Sequence, residues 1–131
     1  MSKRRDECLF DSGAVTFYRI ASTEQRAIPA KWTLTEIVTL PIQERAVGYS
    51  HFYAAHAARE SVDKAVRIWD LRNDGLSINT NDTLALVQGR YYRILKITPT
   101  FDPDGLPVLD LDLTDDDAAI RRKIATYPRT A

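Results

Sequence analysis

Hydrophobic and polar residues alternate along several stretches of this chain, the pattern of strands that bury one face. In the first half of the chain the alternation covers residues 15–20, 32–40 and 62–69. Between the first two, residues 21–31 are mostly polar and predict a loop or linker. Pro41 is expected to end the second run or to place it at a sheet edge, because proline has no N–H to donate.

The second half of the chain predicts a β-hairpin. Residues 83–87 and 91–97 are rich in β-prone side chains, and Gly89 between them can supply the positive φ of a tight turn. Pro99 is expected to close the second strand. The sequence therefore predicts two antiparallel neighbours here.

Residues 102–105, Asp-Pro-Asp-Gly, suit a type I turn, with proline second and glycine fourth. In the strand that follows, one face is apolar, and Asp110 and Asp112 occupy the other, which we expect to be solvated. Thr114 is expected to N-cap a short helix whose charges suit the helix dipole, acidic at its start (Asp115, Asp116, Asp117) and basic later (Arg121, Arg122, Lys123).

Residues 43–64 interrupt the strands. They are rich in Ala, Glu and Arg, and Gly48 breaks a helical spacing that Phe52 helps to form. We expect a long excursion containing one or two helical turns. Its large aromatic side chains either contact a partner or fold back onto the sheet, and the sequence leaves both alternatives open.

These elements predict a mostly β fold: a small antiparallel β-barrel or sandwich of five to six strands, with a long central loop and a short C-terminal helix. The 131 residues are enough for one domain. We expect a flexible N-terminus over residues 1–12, a β core over 13–113, and a helix and tail over 114–131.

Charge is unevenly distributed, although 18 basic residues balance 18 acidic ones. Residues 1–101 carry a net charge of +3, residues 102–117 carry −7, and residues 118–131 carry +4. The overall balance argues against a dedicated nucleic-acid-binding domain, which is usually basic. The acidic segment and the basic helix either serve solubility or form two halves of an electrostatic contact between subunits.

Candidate chemistry is sparse. His51 and His56 are five residues apart, which suits neither a shared helix face nor a shared strand face, so we expect no metal site. Asp110 and Asp112 have the spacing of a carboxylate pair, but a solvated strand face has the same spacing. Cys8 has no nucleophile motif around it. We expect no enzymatic activity and no cofactor.

The predicted hairpin carries the one alternative function. Basic and aromatic residues interleave from Arg90 to Lys96, as in OB-like modules that bind single-stranded nucleic acid by stacking and phosphate contacts. The competing interpretation is a structural strand, with Tyr92 and Ile94 facing inward and with Tyr91 and Arg93 at the rim.

Four stretches together resemble the head-closure or head–tail joining proteins of tailed bacteriophages and prophages. They are Glu-Arg-Ala-Val-Gly-Tyr-Ser-His-Phe-Tyr-Ala-Ala (44–55), Val-Asp-Lys-Ala-Val-Arg-Ile-Trp (62–69), Asn-Asp-Thr-Leu-Ala-Leu-Val-Gln-Gly-Arg-Tyr-Tyr-Arg-Ile (81–94) and Asp-Pro-Asp-Gly-Leu-Pro-Val-Leu-Asp-Leu-Asp-Leu (102–113). They share strands, turns and aromatic placement, not a catalytic motif. The helix after Leu113 extends beyond the usual end of the family.

The resemblance implies a structural protein of the virion, assembled in the bacterial cytoplasm. Such proteins form rings below the portal and contact the portal or adaptor protein, the tail, and DNA that passes through without sequence-specific binding. The best candidate for the loop toward the channel spans residues 43–61, and its expected interface residues are Arg45, Tyr49, His51, Phe52, Tyr53 and Arg59.

Overall fold

The computed structural model describes residues 10–25, 28–46 and 62–124. These residues form seven strands and one α-helix, so the protein is mostly β, as predicted. In chain order they are β1 Ala14–Gln25, β2 Ile28–Pro41, β3 Gln43–Arg45, β4 Lys64–Trp69, β5 Thr83–Val87, β6 Arg90–Phe101, β7 Pro107–Asp115 and α1 Asp117–Ile124.

The strands form one antiparallel sheet in the order β2-β1-β5-β6-β7-β4-β3, curled into a half-barrel. Its two edge strands, β2 and β3, are separated along the chain by Ile42 alone. Ile42 is fully buried, and its N–H donates to the Gly13 carbonyl over 3.0 Å. A single bent segment therefore connects the two edges of the sheet. The short β3 is the strand that the sequence pattern did not predict.

Residues 21–25 and 28–31 lie in strands and do not form the predicted loop. β1 continues to Gln25 and β2 already begins at Ile28, with Ala21 paired to Thr33 and Thr23 to Lys31. β5 accompanies β1 only from Val15 to Arg19, so the rest of β1 pairs with β2 alone. Cross-strand pairing outweighs the polar composition here, because the β-propensity of a residue depends on its structural context.

A β-bulge changes which residues of β2 face the core. Phe17 pairs with Val38, but the next residue of β1 pairs with Glu36, so Ile37 is the extra residue. Val38 consequently packs against the core while Glu36 lies on the opposite face. The simple alternation over residues 32–40 predicted one common face, which is wrong because the residues before and after the bulge lie on opposite faces.

Pro99 does not close β6, which continues to Phe101 with Pro99 paired to Leu109. β5 pairs with β6 only from Arg90 to Arg93. Beyond that point β6 has a strand partner on one side only among the described residues, and proline is tolerated there because no N–H is needed for a second neighbour.

The side chains of the main core share one face of the sheet. Each apolar side chain buried here stabilises the fold by roughly 1.5–3 kcal/mol relative to its exposed state. Strands β1, β4, β5, β6 and β7 contribute buried side chains, as does the connection through Ile42, and β2 adds only partly buried ones: the core holds Val15, Phe17, Ile42, Val66, Ile68, Ala85, Val87, Tyr92, Ile94, Leu109, Leu111 and Leu113.

The C-terminal helix begins later than the sequence predicted. Thr114 belongs to β7 and does not cap the helix, and Asp117 is its first residue. The backbone continues in strand pairing because Asp115 pairs with Tyr92. α1 lies against β2 and β6, and Ile120 is its one buried residue within the described range.

Candidate interaction surfaces

The predicted loop site is described only at its start. Arg45 is the last residue of β3, and its guanidinium reaches Asp110 on β7. The other five interface residues and His56 lie outside the described residues: Tyr49, His51, Phe52, Tyr53 and Arg59. Their roles stay predictions.

Asp110 lies between two arginines. Arg45 Nη1 donates to Asp110 Oδ2 over 2.7 Å, and Arg67 Nε donates to Oδ1 over 2.7 Å. Arg67 faces Asp110 directly, since the two are register partners on β4 and β7. The sequence analysis did not identify Arg67 as a partner of Asp110. The alternation of β4 places Arg67 and Ala65 on one face, opposite Asp110 and Asp112 of β7.

The expectation that Asp110 and Asp112 lie on a solvated face is wrong. Asp112 retains 8% of its accessible surface, and the Asp110 side chain retains 18%. β7 lies between β4 and β6 and is buried on both faces. Alternation shows which residues share a face, but it does not show whether other residues cover that face.

A second cluster of charges, here called the charged corner, surrounds the junction of β7 with α1. It consists of Asp115, Asp116, Asp117, Arg90, Arg93 and Arg121. Arg90 Nε donates to Asp115 over 2.8 Å, Arg93 Nε to Asp116 over 3.1 Å, and Arg121 Nε to Asp117 over 2.8 Å. Each acidic residue of the corner thus has a basic partner in the same chain.

Hydrogen bonds hold two of these carboxylates in their charged form. The Arg90 guanidinium lowers the pKa of Asp115. The backbone N–H of Tyr91 donates to Asp117 Oδ1 over 3.0 Å, and this bond lowers the pKa of Asp117 more than Arg121 does. The backbone of Tyr91 is bound twice, because the Asp116 N–H donates to the Tyr91 carbonyl. The corner therefore fixes the start of α1 to β6.

Basic residues of α1 also contact aromatic rings of the sheet. The Arg121 guanidinium carbon lies 5.1 Å from the Tyr91 ring centroid, and Arg121 Nη2 donates to the Gly89 carbonyl over 2.8 Å. Lys123 Nζ lies 5.3 Å from the Trp32 ring centroid. Both are distances at which a cation is attracted to a ring face.

The side chains of the hairpin at residues 90–96 are arranged as the structural-strand interpretation expects. Tyr92 and Ile94 are buried in the core, while Tyr91 and Arg93 are half-buried. Arg90 and Arg93, two of the three cations that would contact phosphates, are bound to carboxylates of the charged corner, and the third, Lys96, is exposed. No observation favours a single-stranded nucleic-acid site on this hairpin.

The other end of β6 differs. Here the chain turns into β7 through residues 101–107, which we call the β6–β7 tip. Six of its seven residues are exposed, and the seventh, Asp102, is buried. Phe101 is 67% exposed and Leu106 49%, and they are the exposed large hydrophobic side chains among the described residues. The sequence analysis found the turn but not the exposure of its flanks.

Asp102 holds this turn together. Its Oδ1 accepts hydrogen bonds from the backbone N–H of Asp104 over 2.9 Å and of Leu106 over 2.8 Å. Its own N–H donates to the Leu106 carbonyl, and its carbonyl accepts from Gly105, whose φ is +83°. The turn is predicted correctly, and the aspartate at its first position fixes its shape.

No three His, Cys, Asp or Glu side chains within residues 10–25, 28–46 and 62–124 are grouped so that they could hold a metal ion. In the same ranges, no helix has the length and apolar character needed to span a bilayer.

No protein-family model matches this chain, and no curated protein matches it.

Proposed function

We propose that this protein is a structural component of a tailed phage or prophage virion. Copies of the chain form or complete a ring below the portal and join the head to the tail. The chain binds its own copies, the portal or adaptor protein and a tail protein. DNA passes along the ring without sequence-specific binding. This role needs no catalytic residue or cofactor.

The observation that carries the proposal is where the resembling stretches lie in the sheet. Residues 62–69 include all of β4, residues 81–94 form β5 and the start of β6, and residues 102–113 include most of β7. These four strands are consecutive neighbours, in the order β5-β6-β7-β4. Stretches that are separate in sequence thus form one continuous sheet, which supports reading them as one inherited unit.

The proposed ring contact must take account of the charged corner. We expected Asp115, Asp116, Asp117, Arg121, Arg122 and Lys123 to bind a neighbouring subunit. Three of the pairs that this corner can form are already made within one chain. A contact between subunits here would have to exchange internal partners for external ones, which yields little net free energy for exposed ion pairs.

Deletion of the gene from the phage or prophage genome that carries it tests the proposal. We expect DNA-filled heads and free tails that do not join, observed by electron microscopy. Supplying the wild-type gene in trans should restore joined particles that contain the chain by mass spectrometry. Joined, infectious particles formed without the chain would overturn the proposal.

A further inference from the structure

Exposed large hydrophobic side chains are concentrated at one place in the described part of the molecule. Phe101 and Leu106 belong to the β6–β7 tip, and Pro103 and Pro107 beside them are exposed too. Single exposed apolar residues are common, but a group of them on one projecting turn marks an interaction site. The tip therefore exposes apolar surface that the described residues of one chain do not cover.

The tip is also preorganised by its own hydrogen bonds before it binds a partner. Asp102 makes four hydrogen bonds within the tip: its carboxylate accepts two from backbone N–H groups, and its own main-chain N–H and carbonyl make one each. A preorganised turn loses little conformational entropy on binding, so its apolar contacts convert more fully into affinity. Burial of Asp102 thus serves to present Phe101 and Leu106.

Charge indicates which kind of surface the tip fits. Residues 101–107 contain two carboxylates and no basic residue, and Asp104 is exposed. Contact between the tips of two copies would place Asp104 against its equivalent, and like charges at an interface are costly. The described surface of a second copy offers no other exposed large hydrophobic side chain.

We propose that the β6–β7 tip inserts into an apolar pocket with a basic rim on a different protein of the particle. Phe101 and Leu106 supply the buried contacts, and Asp104 meets the rim. This inference rests on the proposed function, and it assigns one docking point of the connector to one turn. α1 lies at the opposite end of β6, on the order of 40 Å away along the strand.

The test complements the deleted gene with variants of the tip. Phe101→Thr with Leu106→Thr removes the apolar contacts but keeps β-prone residues. The matched control, Phe101→Leu with Leu106→Phe, exchanges the two side chains and keeps the tip apolar. Asp104→Lys tests the rim. Purified variants should unfold at the wild-type urea midpoint and keep the wild-type mass by light scattering, because these positions are exposed.

We expect the double threonine variant and Asp104→Lys to lower the number of joined particles about tenfold or more, as loss of central interface side chains does. The exchange variant should join heads and tails at near wild-type numbers. Wild-type numbers of joined particles with the double threonine variant would overturn the proposed docking role of the tip. They would leave the proposed connector function unaffected. A change in the mass of the purified double variant would also overturn it, because the tip would then bind a second copy. If wild-type chain is absent from the particles, the proposed function itself has failed.

Discussion

The two ends of β6 use their side chains in opposite ways. At the charged corner, three aspartates and three arginines bind one another within the chain. At the β6–β7 tip, one buried aspartate holds a turn from which Phe101 and Leu106 project into solvent. At one end the charged side chains are paired within the chain, and at the other the apolar side chains are left exposed.

The comparison shows that a conspicuous sequence feature need not be an interaction site. The seven acidic residues among positions 102–117 are the strongest charge signal in the chain, yet the three at positions 115–117 pair with the hairpin and helix of the same chain. The exposed side chains of the tip, Phe101 and Leu106, are inconspicuous in sequence. For exposed pairs the net energy is small, whereas exposed apolar surface gains when it is covered.

The anchoring of α1 at the charged corner can be broken through its apolar contact. Ile120→Ala should lower the free energy of unfolding by about 2–4 kcal/mol, because alanine leaves a cavity but keeps helix propensity. Urea denaturation measures this change. Ile124→Ala is the control, since Ile124 is only half-buried and should cost clearly less. Equal losses at both positions would show that α1 does not depend on Ile120.

The turn of the tip should be destabilised by replacing Asp102, its one buried residue. Asp102→Ala should lower the free energy of unfolding by about 1–2 kcal/mol, because two backbone N–H groups lose their acceptor. Asp102→Asn keeps an oxygen at the same place and should cost less. Urea denaturation of both variants decides. If alanine and asparagine cost the same, the turn is held by its main-chain bonds alone.

Much of the fold could be predicted because its signals are local. Strands with one buried face show period two, and β4 follows it from Val66 to Ile68. The β5–β6 turn was marked by Gly89, and the preceding Gln88 also has a positive φ, of 52°. Turn chemistry and alternation depend on the residues themselves, so a single sequence carries them.

The rest depends on neighbours that are distant in sequence. The bulge at Ile37 exists only relative to β1, and the covering of Asp112 depends on both strands beside β7. The partners of the charged corner join residues that are 23 and 25 positions apart. Neither period nor composition encodes such pairings, which is why the corner was expected to face another subunit.

Acid should weaken the charged corner. The pKa values of Asp115 and Asp117 are lowered in the folded state, by the Arg90 guanidinium and the Tyr91 N–H respectively. The unfolded chain therefore binds more protons in this range, so the free energy of unfolding rises with pH. The contribution is complete above the unfolded pKa of about 3.9 and is lost as pH falls through the folded values.

Urea midpoints from pH 3 to pH 7 measure this effect. The midpoint should hold between pH 5 and pH 7 as far as these two groups are concerned, and should fall below about pH 4. Asp70 near the other end also has a lowered pKa, caused by its hydrogen bond from Arg72. Asp115→Asn with Asp117→Asn therefore isolates the corner: the fall should become shallower, and an unchanged profile would contradict the assignment.

The smallest predicted effect is a coupling energy between two charged side chains. It distinguishes an ion pair within one chain from a contact between subunits. A double-mutant cycle on Arg93 and Asp116, with alanine at each, should give a coupling energy of about 0.2–1 kcal/mol, since both side chains are partly exposed. Added salt should reduce that coupling. Because the pair lies within one chain, the coupling should be the same at low and at tenfold higher protein concentration. A coupling that grows with concentration would place the aspartate of one copy against the arginine of another, and the corner would then belong to the ring contact after all.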